Sequence, residues 1–188
     1  MLRIVNLEEI QGLLLRIPGL IHDLETHAPN LLNAVKDWFT HAEGLLMNNR
    51  LAIAGEIAAL RGVLICAERG VIPSGVVFTG RATPRKIKEA SSAEVLRKAA
   101  ETISNAIRGQ VTQIEEGERL ARQLVALARR KGLRTVVPSG GGHSEALREI
   151  WRAFSADPDL GAGTTHLAGL VGACDALVLL DRMLLTPA

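Results

Sequence analysis

Between residues 30 and 69, apolar side chains recur at steps of three and four: Leu32, Val35, Phe39, Ala42, Leu46, Ile53, Ile57, Leu60 and Leu64. This spacing lines one face of an α-helix. The stripe is interrupted once, at Asn49-Arg50, which reads either as a break between two helices or as a polar layer that fixes register. Gly70, with Pro73 soon after, marks the stop. A second stripe runs Leu96, Ala100, Ile103, Ile107, Val111, Ile114, Ala121, Val125, Ala128, with Glu118 the one departure from the line. It predicts a helix from Ser91 or Ser92, acting as N-cap, to Lys131. Arg129, Arg130 and Lys131 sit where the helix dipole favours cations, and Gly132 closes the element.

Helices of about forty residues reach roughly 60 Å at 1.5 Å per residue. Two of equal length joined by residues 71–90 predict an antiparallel hairpin. Val76–Thr79 reads as a short strand and Thr135–Val137 as a second apolar piece; an unbroken second helix keeps them apart, so no pairing within one chain is expected. Before the hairpin, Leu7–Ile17 reads as a short helix stopped by Pro18-Gly19, with another short stretch at Leu20–Thr26. After it come His143–Phe154, with Leu147, Ile150, Trp151 and Phe154 on one face, and Thr164–Leu185, apolar around most of its circumference. A helix apolar on all sides belongs in the middle of a bundle or at a subunit contact. The expected fold is all-α: an elongated helical bundle built on the long antiparallel hairpin (30–131) plus C-terminal helices (143–185), as a single helical domain over 1–188.

Composition narrows this picture. Hydrophobic residues make up 47% and aromatics only 3%, with no Tyr, so the core is aliphatic and material for base-stacking platforms is scarce. Cys66 and Cys174 lie in apolar runs and read as small core residues of a reducing compartment. Glu8, Glu9 and Gln11 interrupt what would be the apolar region of a signal peptide; Leu167–Leu180 is too short to span a bilayer and contains Asp175. No membrane span and a cytoplasmic location are expected.

Charge is laid out unevenly around a net of +2: residues 1–69 carry −2, residues 70–134 carry +7 and residues 135–188 carry −3. In the basic middle, Arg97, Arg108, Arg119 and Arg130 recur every eleven residues, close to three helical turns, with Arg122 beside them. Arg81, Arg85, Lys86 and Lys88 cluster before this stripe and Lys131 follows it. Such a ridge suits a phosphate backbone bound without sequence preference, but the plainer reading is an ordinary solvated face, which mixes both signs, since Glu101 and Glu115 interrupt it.

Chemical motifs are weak. The run Pro138–Glu145 places three glycines before a helix start, which can hold an anion, yet it matches neither phosphate-loop nor dinucleotide spacing; Ser144 acting as an N-cap is the plainer reading. His22/Glu25, Asp23/His27 and Asp37/His41 fall at helical spacing, but no Glu-x-x-His element accompanies them, so no metal or cofactor is expected. Asp175, among apolar neighbours, calls for a partner arginine or for exposure. With no Gly-x-Ser-x-Gly elbow and no catalytic residue to nominate, the sequence points away from an enzyme. It favours a non-enzymatic helical assembly or interaction protein, a subunit of a homo-oligomer or larger complex. The alternatives are a nucleic-acid-associated subunit using the 81–134 region, and a small-molecule or metal-binding bundle.

Overall fold

The computed structural model describes residues 2–28, 30–71, 83–136 and 142–185. The protein is all-α, with seven helices among the described residues: α1 (Ile4–Glu25), α2 (Leu31–Asn48), α3 (Ala54–Glu68), α4 (Pro84–Arg130), α5 (His143–Ala156), α6 (Gly161–Val171) and α7 (Ala173–Leu185). Two compact units divide the chain, one of Leu2 and Ile4–Arg108, the other of Arg3 with Gly109–Ala188. Buried positions of α4 accordingly fall in two runs, Ile87 to Ile107 and Gly117 to Ala128.

In the first unit, side-chain pairs fix the direction of each helix. Asn6 donates to Asn49 and the Trp38 indole Nε1 donates to the Leu13 carbonyl at 3.0 Å, so α1 and α2 run antiparallel. Lys36 pairs with Glu68 and Arg61 with Glu43, which makes α2 and α3 antiparallel. Leu64 and Ala67 of α3 share a crevice with Lys88 and Ser92, while Ala59 and Leu60 lie beside Lys98 and Thr102, so α3 and the start of α4 are also antiparallel. The result is an up-down-up-down four-helix bundle. Its centre is dry: Val35, Trp38, Phe39, Ala42, Leu46, Ile57, Leu96 and Ile103 are wholly buried, and the Trp38 and Phe39 rings meet edge to face at 5.0 Å.

The stretch from 30 to 69 is two helices rather than one. After Asn48 the chain turns back through a Schellman motif: Leu51 N–H donates to the Leu46 carbonyl and Arg50 N–H to Met47, with Arg50 at φ 55. Asn49 also serves as a polar contact, accepting from Asn6 and donating to the Leu45 carbonyl. The antiparallel arm that packs on α4 is therefore α3, not a forty-residue helix.

Helix α1 does not stop at Pro18. Ile4, Leu7, Ile10, Leu13, Ile17, Leu20 and Leu24 are all buried on one continuous stripe that runs across the proline. Burial of Leu20 and Leu24 gains about 1.5–3 kcal/mol each, enough to offset the ~3 kcal/mol proline penalty. Helix α4 begins at Pro84, seven residues before the expected caps. Thr83 caps it, accepting from the Lys86 N–H at 3.3 Å, and Pro84 occupies the first helical position, where its missing N–H costs nothing. Ser91 and Ser92 are instead buried in the helix, 0% and 1% exposed.

In the second unit, α6 and α7 pack on each other and on α5. The apolar C-terminal segment is split at Gly172, whose φ of 89 takes the chain out of the helix. At Gly117 of α4 an added Cβ would lie 2.8 Å from Val171 and 3.0 Å from Leu179, and at Gly163 one would lie 2.7 Å from Leu124. These glycines let α6 and α7 close against α4. Helix α5 starts at His143, with Gly142 rather than Ser144 as its cap residue. No strand occurs among the described residues. Val76–Thr79, Val137 and residues 138–141 of the glycine loop lie outside them, so the pairing and anion-loop expectations do too.

Candidate functional site

The basic residues nominated from sequence divide between the two units. Arg81 lies outside the described residues. In the first unit, Arg85 Nε donates to Glu89 at 2.8 Å, and Arg85 also reaches the His27 carbonyl. Lys86 and Arg97 are exposed, Lys88 is half-buried, and exposed Arg108 donates to Asn105 Oδ1 at 2.6 Å. In the second unit, Arg119 forms a two-point contact with Glu116 one turn earlier. That contact holds the Glu116 carboxyl below its ordinary range and raises the Arg119 guanidinium. Arg122 and Arg130 are exposed. Lys131 Nζ is clamped by both oxygens of Asp157 at 2.6 Å and by Asp159 at 2.7 Å. The hydrogen bond to Asp157, then that to Asp159, raises the Lys131 ammonium, and the Lys131 hydrogen bond lowers Asp157. Part of the positive charge counted along the sequence is thus neutralised by acids of the same unit.

Helix α3 carries a feature that the hydrophobic stripe concealed. Of its three charged residues, Arg61 and Glu68 are turned toward α2, where they meet Glu43 and Lys36, and Glu56 is exposed in the first turn, beside Ala59. Its outward line, at steps of four, three and four, is Gly55, Ala59, Gly62 and Cys66, three exposed and Gly62 half-buried. A Cβ added at Gly55 or Gly62 would touch nothing within 4 Å. Ile65, 43% exposed, and half-buried Ala58 and Val63 flank the line. A solvent-facing helix surface normally carries charge; this one carries none along four successive positions. The signal lies in residues 55–66, but glycine carries no side chain and so leaves no mark in a pattern of apolar positions.

A cavity of about 670 Å³ opens where the α1–α2 turn, the end of α3 and the start of α4 come together. His27, Asn30, Asn33, Arg85, Lys88 and Glu89 line it. His27 sits at φ 59 and Asn30 at φ 63, two of the three non-glycine residues in the left-handed region among the described residues. His27 Nδ1 lies 3.0 Å from Glu89 Oε1, so its carboxylate neighbour comes from α4.

Of the remaining candidates, Asp175 is buried at 5% exposure and accepts from Arg3 Nε at 3.2 Å. The partner is an arginine, as a carboxylate among apolar neighbours requires. His143 Nε2 lies 2.9 Å from Asp181 Oδ1. Cys66 and Cys174 are both exposed rather than in the core. Among the described residues no three His, Cys, Asp or Glu side chains gather as a metal site would, and no helix is long and apolar enough to cross a membrane. Comparison with known proteins gives no assignment: no family model, curated protein or solved structure matches this chain.

Proposed function

We propose that this chain is a non-enzymatic helical assembly protein, a subunit that joins a second copy or a larger complex through the outward face of α3. The observation that carries the reading is the uncharged line Gly55–Ala59–Gly62–Cys66 on a helix whose Arg61 and Glu68 are ion-paired to α2, with exposed Glu56 at the edge of the line. Small side chains let a partner backbone approach closely, and the flanking Ile65 and Val63 supply apolar area to bury. Two exposed free thiols suit a reducing compartment, so the reading places the protein in the cytoplasm.

Light scattering on the eluting peak at micromolar concentration tests it. The expected result is a mass above that of one 20.1 kDa chain, falling to one chain in Ala59→Arg, which puts a charge in the centre of the line. A strictly monomeric wild type that also captures no partner overturns the reading. The second reading, contact with a nucleic-acid backbone, draws on the exposed Arg97, Arg122 and Arg130, none of which has an ion pair among the described residues.

A further inference from the structure

Helix α4 is held by packing along two stretches and left to itself in the middle. Its buried positions end at Ile107 and resume at Gly117, and every residue from Arg108 to Glu116 is exposed or half-buried. The two compact units change over in the same place, between Arg108 and Gly109. Most of a helix's stability in a folded protein comes from packing rather than propensity. The stretch from 108 to 116 therefore depends on the helix preference of its own residues, and that preference is poor. Glycine is the weakest helix former after proline. A Cβ added at Gly109 would touch nothing within 4 Å among the described residues, so no close approach of a neighbour accounts for a glycine there. Val111, Thr112 and Ile114 are β-branched and lose side-chain freedom against the preceding turn. Gln110 Oε1 is buried with no hydrogen-bond partner among the described residues, a cost that water removes once the turn opens. Three separate penalties thus fall between 109 and 114, where no packed side chain offsets them.

We propose that residues 109–116 form a joint in α4, a turn of helix that opens to solvent while the packed helix before and after it stays closed. Opening there presents the peptide bonds of an otherwise folded chain to proteolysis, at a rate set by the open population. The assignment does not depend on assembly through α3. Its test is hydrogen–deuterium exchange of the full chain, read by mass spectrometry on peptides along α4. The expected result is exchange over 109–116 at least about tenfold faster, after correction for intrinsic rates, than over 95–107 or 118–128. Gly109→Ala should slow exchange over 109–116 about fivefold, the difference in helix propensity between the two residues. Gly44→Ala on α2, where an added Cβ also meets nothing within 4 Å, makes the same gain elsewhere and should leave 109–116 unchanged. Uniform exchange along α4 overturns the proposal, and so does an exchange rate over 109–116 that Gly109→Ala does not slow. Equal slowing over 109–116 by Gly109→Ala and Gly44→Ala overturns it as well, because the segment would then open only when the rest of the chain unfolds.

Discussion

Gly117 shows how a missing side chain can set a packing distance. The buried line of α4 passes through Gly117, while its neighbour Glu118 stays half-buried. A hydrophobic pattern cannot register a residue with no side chain, so the line drawn from sequence ran through Glu118 instead. An alanine at 117 needs Val171 and Leu179 to retreat from 2.8 and 3.0 Å, and overpacking of this kind costs about 1–3 kcal/mol. The helix-propensity gain of about 1 kcal/mol does not cover that in full. Gly117→Ala should therefore lower the denaturation midpoint. Gly109→Ala, eight residues earlier on the same helix, meets nothing within 4 Å and should raise it by the propensity gain alone. Chemical denaturation of the two variants in parallel checks both signs, and equal shifts would show that contact at Gly117 is not what sets the spacing.

At the level of elements, helix ends decided what sequence could reveal. Four helices close with the same pair of bonds: Ala28 to Asp23 and His27 to Leu24, Leu51 to Leu46 and Arg50 to Met47, Val71 to Cys66 and Gly70 to Ala67, Leu133 to Ala128 and Gly132 to Arg129. Where glycine holds the left-handed position, at 70 and 132, the stop was legible. Where His27 and Arg50 hold it, nothing in the residue type announces the turn, and the α2–α3 break survived only as one of two readings of a polar interruption. Thr83-Pro84 was a legible start that the two serines at 91 and 92 outbid, although their side chains are small enough to be buried mid-helix. A non-glycine residue in this region carries about 1–2 kcal/mol of strain, part of which glycine returns to the unfolded chain as entropy. Arg50→Gly is accordingly expected to stabilise the first unit by about 0.5–1 kcal/mol. Arg50→Ala keeps the strained conformation and should gain nothing; a gain equal to that of glycine would mean that the arginine side chain, not its φ, carries the cost.

For the molecule as a whole, charge separates the two functional readings. A net of +2 gives little long-range attraction to a polyanion, so binding would depend on local clusters. The structure sorts the nominated cations by availability: Arg85, Arg119 and Lys131 are held by acids, whereas Arg97 and Arg122 are exposed without an ion pair among the described residues. A cation released to a phosphate from an internal pair must first lose that pair, so it contributes less than a free one. Assembly through α3 predicts that, at about 150 mM salt, the chain does not shift a labelled single strand of about 20 nucleotides, since weak non-specific contacts fade steeply there. The oligomer should also persist in Arg97→Glu and Arg122→Glu, which change residues of α4 rather than of α3. If a shift is seen, its logarithm falls linearly with that of salt, and Arg97→Glu and Arg122→Glu weaken it more than Arg119→Glu does, then the exposed arginines bind phosphate and the nucleic-acid reading replaces the assembly one. Equal losses in all three variants would instead mark net charge as the cause, because the paired and unpaired arginines differ in local availability but not in formal charge.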